Sequence, residues 1–351
     1  MRYLPTGRLT PGMALGQDIF DGAGRLLLAK HLLLSEEYIS NLEFLGFPGV
    51  YIDDEFTRGV EIQQVISPQV RSRALKIVYE LFGGAGDGQE SGSAEVRIQK
   101  VAESVVENVV NNGDVMYNML DIKNYDDYIY YHSISVGVLS IVAGARLGLA
   151  YDELCQLACA AFLHDIGKRF MDRELVVGRE TSGGADEEVF KSHPKLGAEY
   201  LRSVFHFSHE VYTGILEHHE NYNGEGYPLG KTGEDIGLFA RIIRIANCYD
   251  VMTSAQPAGK GQPPSEALEY LMAMSGVRFD PQLVNIFVRK MAAYPVGCEV
   301  ELSNGQHAVV MENFDNFPLR PLVRVIDTGE ILNLRDEESA RAITVGRLIM
   351  Q

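Results

Sequence analysis

His164-Asp165-Ile166-Gly167-Lys168 decides the fold, and it does so only in company. A single His-Asp pair says little, because an isolated histidine among apolar residues is more often a satisfied core residue than a ligand. Working outward, the chain supplies His132 upstream, and downstream His193, then His218-His219-Glu220, then Gly224-Glu225-Gly226-Tyr227-Pro228. Five of the nine histidines thus fall into one ordered set with a carboxylate at its centre. Neutral imidazoles and carboxylates suit Fe, Mn, Zn and similar ions, and such groups on rigid helices can hold two ions close enough to share a water. His206 and His209 belong to no motif and read as ordinary helix or loop residues.

Around these residues the apolar pattern is helical. From Ala94 it runs through Val101, Val105, Val109 and Met116, then Ile134, Val138, Ile141 and Val142, then Leu154, Leu157, Ala161 and Phe162. This periodicity predicts a nearly all-helical domain over 94–293. Ser133 to Ala145 is weakly polar and ends at Arg146, short of the roughly 20 residues that span a bilayer, and reads as a buried helix. Ahead of it, 1–60 reads as a small mixed α/β module: short apolar runs at Met13–Phe20 and Arg25–Leu28, a helix over Ser35–Leu45 and a strand at Val50–Ile52. That module is either a packing or dimerisation unit or a ligand sensor. Residues 61–93 hold a helix and a Gly-rich linker, Gly83 to Ser93. Pro295 and Gly297 end the helical pattern. Over 294–351, Val300–Leu302, the Asn304-Gly305 turn and His307–Met311 predict a hairpin, with Leu322–Ile326 and Ile331–Leu334 as further strands of a small β module. The expected class is therefore mainly α, a helical bundle flanked by two small modules.

The bulk numbers exclude several functions. With 31 basic and 48 acidic residues the formal charge is −17, which opposes a non-specific grip on long nucleic acids and leaves small anions held by local cations. The 351 residues are 46% hydrophobic, enough for a sizeable core. Met1 to Gly12 contains no apolar run of signal-peptide type. Cys155, Cys159, Cys248 and Cys298 form neither a CxxC pair nor a disulfide framework, and a reducing cytoplasm is the expected location.

The ordered set, with its Gly-Tyr-Pro loop at the usual distance after His218-His219, resembles the bacterial HD-GYP family across about half the chain, from Asp126 to Tyr294. The resemblance implies an HD-type helical bundle that hydrolyses cyclic di-GMP, to the linear dinucleotide or GMP, with two divalent ions, Fe or Mn. It implies metal ligands at His132, His164, Asp165, His193, His218 and His219, with Asp165 bridging the ions. Lys168 is then placed to reach a phosphate oxygen, its alternative being a solvated charge at a helix end. Arg241 has two readings, phosphate contact or structural ion pair. Gly224, Gly226 and Pro228 are expected to shape a tight loop with Tyr227 at its tip, a place for packing or for a signalling partner. A homodimer is a further possible assembly.

Three departures bear on activity. Where the family usually reads Ala-Asp-x-x-Asp-x-x-Thr, this chain reads Ala246-Asn247-Cys248-Tyr249-Asp250-Val251-Met252-Thr253, so a neutral amide stands in for a ligand carboxylate. Asp250 either compensates for it or braces the helix. Tyr128 occupies the place where members with a third metal carry Glu, which implies a two-metal site. After Ser254 the family's Arg-x-Tyr-Lys run is replaced by Gln256 to Pro264, leaving Lys260 as a partial substitute for binding phosphate. The competing functions are a degenerate member that binds cyclic di-GMP or a partner without turnover, and a hydrolase of another nucleotide.

Overall fold

The computed structural model describes residues 1–21, 25–54, 65–84, 91–112, 128–172, 185–254, 261–315, 317–336, 340 and 342–349. The first module pairs β1 (Arg2–Pro5), β5 (Gly49–Asp53) and β2 (Ala14–Leu15) in one antiparallel sheet, with β3 (Ile19–Phe20) and β4 (Leu26–Leu28) as a separate hairpin. Its helix α1 (Glu36–Phe44) lies within the expected Ser35–Leu45 stretch and starts where Ser35 accepts a hydrogen bond from the Tyr38 amide at 3.2 Å. Leu4, Leu15, Leu42, Val50 and Ile52 close a small core of its own.

The helical body consists of α2 (Pro68–Phe82), α3 (Ser91–Asn111), α4 (Tyr128–Leu147), α5 (Tyr151–Phe162), α6 (Ala185–Phe190), α7 (His193–Val204), α8 (His209–Leu216), α9 (Leu238–Thr253), α10 (Pro264–Ala273) and α11 (Pro281–Val288). Ser91 to Ser93, expected in the linker, lie within α3, while 85–90 fall outside the described residues. Helix α4 is longer than its apolar run suggested, and by length and composition alone it could cross a membrane. Residues Tyr131 to Gly144 are all buried within the protein, as a helix apolar on every side requires. Around it pack α2, α3, α5, α9 and α11, so α4 is the axis on which the site is assembled.

The final module is a five-stranded antiparallel sheet in the order β10-β6-β7-β8-β9. Strands β6 (Glu299–Leu302) and β7 (His307–Phe314) flank the predicted turn, where Gly305 sits at φ +83°. Strands β8 (Phe317–Val325) and β9 (Ile331–Asn333) match the expected runs, and β10 (Val345–Leu348) was not anticipated. One continuous core runs from α2 through the helical body into this sheet, joined by Tyr3 and Tyr51 of the first module. The Tyr3 amide donates to Gly297 O at 2.9 Å and Arg8 pairs with Glu299 at 3.2 Å, tying the two small modules together.

Candidate metal centre

His164, His193 and His218 are oriented by one device. The last turn of a helix leaves backbone carbonyls without intrahelical partners. Each of these rings follows a helix end and turns Nδ1 back to the carbonyl three residues earlier: His164 to Ala161 O at 2.8 Å, His193 to Phe190 O at 2.7 Å, His218 to Ile215 O at 2.7 Å. With Nδ1–H donating, the Nε2 lone pair is left for a ligand. His132 lies inside α4, where backbone carbonyls are already used. Its Nδ1 meets instead Oδ2 of Asp250, from α9, at 2.6 Å. Asp250 thus braces His132 rather than merely its own helix.

The four rings converge on Asp165. Its Oδ2 faces His132 Nε2 at 3.6 Å and His164 Nε2 at 3.4 Å. Its Oδ1 faces His193 Nε2 at 3.2 Å and His218 Nε2 at 3.7 Å, and those two nitrogens are 3.3 Å apart. His219 completes this second group. The donor atoms of Asp165, His193, His218 and His219 all lie within 4.8 Å of one another, as do those of His132, His164 and Asp165. All six residues are buried. Among the described residues His164 Nε2 and Asp165 Oδ1 have no hydrogen-bond partner, a cost that buried polar atoms rarely bear unless something else meets them. This donor set fits divalent metal on both sides of one carboxylate.

Close packing makes the convergence possible. Gly167 lies in the 3-10 turn Ile166–Phe170 against α7, and a Cβ there would sit 2.0 Å from His193 O. Any side chain at 167 would push His193 away from Asp165.

Electrostatics favour the ligand forms. Burial pushes the His132 and His193 imidazoles down from their ordinary pKa, and pushes His218 and His219 well down with the help of neighbouring rings. Burial alone would raise the Asp165 carboxyl, but His164 and Lys168 outweigh it and hold the group well below the usual carboxylate range. Lys168 Nζ donates to Asp165 Oδ2 and lies 5.4 Å from the Phe190 ring centre.

Comparison with known proteins places this geometry. Residues 114–283 match the HD domain family. The chain is 31% identical over 254 residues to the cyclic di-GMP phosphodiesterase PA4108 of Pseudomonas aeruginosa, a match covering 72% of this chain and 61% of that protein. It is 37% identical over 158 residues to the cyclic di-GMP phosphodiesterase response regulator RpfG of Xanthomonas campestris, covering 44% and 42%. The chain carries an HD domain of the HD-GYP type. It spans roughly half the length of these two curated relatives. Among solved structures, Bd1817, an HDG"Y"P protein of Bdellovibrio bacteriovorus, shares the fold with a TM-score of 0.52 at 19% identity, over 82% of this chain and 97% of that one.

The loop that names the HD-GYP type is packed onto the metal centre. Tyr227 stacks on His219 with ring centres 4.7 Å apart and planes 12° from parallel, and its amide donates to His219 O at 3.2 Å. A Cβ on Gly226 would lie 2.1 Å from Asn221 N, so only glycine fits that crossing. Two carboxylates that the sequence reading gave no role close the loop. Glu220 accepts amides from Leu229 at 2.6 Å and from Gly230 and Lys231 at 3.2 Å. Glu217 accepts Lys231 Nζ at 2.5 Å and the Gly237 amide at 2.9 Å. Their only signal in sequence is that both border the His218-His219 pair.

The remaining expected site residues divide. Tyr128 stacks on His132 with ring centres 5.4 Å apart. Asn247 is buried on α9 one turn before Asp250. Arg241, for which the sequence left two readings open, makes the ion pair: Nη1 meets Asp280 at 2.6 Å, and that carboxylate also caps α11. Lys260 lies outside the described residues, as does the stretch just before Tyr128.

Proposed function

We propose that the protein is a cytoplasmic two-metal phosphodiesterase that hydrolyses cyclic di-GMP, with Fe or Mn as the ions. The observation that carries this reading is the division of Asp165, one oxygen toward His132 and His164 and the other toward His193 and His218. The names of the curated relatives support the substrate, and the four unpaired cysteines support the location.

When bound, divalent ions at such a centre acidify a water and polarise phosphoryl oxygens. The chain's own part is to hold and to orient. Backbone carbonyls fix three of the five imidazoles and Asp250 fixes a fourth, so these four donors are held in orientation before anything binds. Lys168, already beside Asp165, is within a side-chain swing of the reacting phosphate and supplies a cation where negative charge develops. Tyr227 covers one face of the His219 ring.

Asn247 favours a second reading, a receptor that binds the nucleotide with little turnover, because an amide is a weaker ligand than a carboxylate for a hard cation. Metal analysis of anaerobically prepared protein, coupled to chromatography of cyclic di-GMP products, separates the two. The enzyme reading expects between one and two ions per chain and conversion to linear dinucleotide or GMP. Protein that carries its metal, binds cyclic di-GMP and releases no product would establish the receptor instead.

A further inference from the structure

Two arginines near the metal centre, Arg244 and Arg278, are close to each other and make no ion pair with a carboxylate among the described residues. The chain has a net charge of −17, so acids are plentiful. Arg244 projects from α9 one turn before Asn247. Its Nε and Nη2 share a single amide oxygen, Asn221 Oδ1, at 3.3 and 3.0 Å, and its guanidinium lies 5.6 Å from the Phe279 ring centre. Arg278 donates through Nη1 to the Tyr270 hydroxyl, whose ring is 6.3 Å from the same Phe279 centre. The two cations therefore lie near each other, and Arg278 adds to the effect of burial in lowering Arg244.

Their surroundings lead back to the site. Arg244 is bonded to Asn221, two residues after His219, the ring on which Tyr227 stacks. The turn that carries Arg278 is bonded to the segment after the ligand histidines: the Tyr222 amide donates to Arg278 O at 3.2 Å and the Asn223 amide to Val277 O at 2.9 Å. Both arginines are part-buried rather than fully enclosed. Two like charges held together without a counter-ion cost stability unless an anion completes them, and a guanidinium fork suits phosphate oxygens in paired hydrogen bonds.

We propose that Arg244 and Arg278 form a phosphate subsite that grips the non-reacting phosphate of the nucleotide substrate while the reacting phosphate lies at Asp165. This rests on the reading of the centre as a nucleotide phosphodiesterase, and it assigns the substrate grip that the altered sequence after Ser254 left without an owner.

The test is calorimetric titration of full-length, metal-loaded protein with two probes, a phosphorothioate cyclic di-GMP that resists hydrolysis and GTP, for wild type, Arg244→Gln, Arg278→Gln and Asn221→Ala. Each arginine variant should weaken binding of the cyclic probe by about tenfold or more, the scale of one lost charge-assisted contact. In turnover of cyclic di-GMP the same variants should raise KM and leave kcat within about threefold, as loss of uniform binding requires. Asn221→Ala removes the protein partner of Arg244 but keeps its charge, and should leave affinity within about twofold. If Asn221→Ala weakens binding as much as Arg244→Gln, the arginine is a loop brace and the subsite is refuted; unchanged affinity in Arg278→Gln refutes it equally. Wild type that binds GTP but not the cyclic probe would remove the cyclic dinucleotide reading and leave the arginine pair to be judged on GTP. Binding of neither probe overturns both.

Discussion

On the Oδ1 side of Asp165, His193 and His218 hang from backbone carbonyls at helix ends, whereas on the Oδ2 side His132 hangs from a carboxylate on a different helix. A carbonyl anchor forms as soon as its helix and turn form, since donor and acceptor are three residues apart. The Asp250 anchor exists only when α4 and α9 are packed together, 118 residues apart in sequence. His164 keeps a local anchor on the second side, but the helix that supplies Asp250 also carries Asn247. One half of the centre is thus written into local structure and the other depends on tertiary packing, and the departure from the usual ligand set lies on the helix that serves the second half.

Asp165 is common to both halves, so Asp165→Ala should abolish the distinction. Metal content should fall below one ion per chain and cyclic di-GMP turnover by about 10³-fold or more, because metal assistance is worth several kcal/mol at the transition state. Metal analysis and a product assay check this. A variant that keeps one full ion would show that the Oδ1 histidines hold metal without the shared carboxylate.

Acid should separate the halves next. In metal-free protein His132, His193, His218 and His219 are held below their ordinary pKa, chiefly by burial. As pH falls below about 6.5 the unfolded chain takes up protons that the folded chain refuses, so folding stability drops by about 1.4 kcal/mol per pH unit for each such histidine. Above that range the contribution is flat. Asp250 partly counters the burial of His132, whereas His218 is lowered further by His164 and His193. Denaturant titrations between pH 7 and 5 should therefore show a larger flattening of the acid limb in His218→Gln than in His132→Gln. Equal flattening would mean that the two halves are electrostatically alike.

Asp250→Ala attacks the tertiary anchor alone. It leaves His132 Nδ1 without its partner, and loss of such an outer hydrogen bond costs about 10- to 100-fold in metal affinity. Competition with a chelator should reveal one weakened ion and one unchanged. Two weakened ions would place Asp250 in control of the whole centre.

The same contrast explains what could be read from sequence. The ligand histidines, Asp165 and the loop glycines are legible because each sits in a short motif whose spacing survives folding. The hairpin at Asn304-Gly305 and the helix over Ser35–Leu45 are legible because the chemistry is local. The partners of Asp250, Glu220 and Arg244 are not, since an acid or arginine on a helix looks the same whether it faces water or a loop from elsewhere. Strand β1 was hidden by its brevity and its proline, and becomes a strand only by pairing with β5. Helix α4 looked too short because its first turn is tyrosine-rich rather than aliphatic.

Asn247→Asp has the smallest expected effect and the most direct bearing on the difference between the halves. Asn and Asp are nearly equal in size, so the variant keeps the packing of α9 and changes one neutral oxygen into a charged one. If the amide limits the centre, metal affinity on one side should rise by about tenfold, with turnover of cyclic di-GMP following it. The cost should appear only in metal-free protein, where a buried carboxylate without a cation is disfavoured and should lower the melting temperature. Metal should restore that temperature beyond the wild-type value. A variant that gains metal but no rate would shift the defect from the ions to substrate grip, and one that gains neither would mark Asn247 as a tolerated substitute.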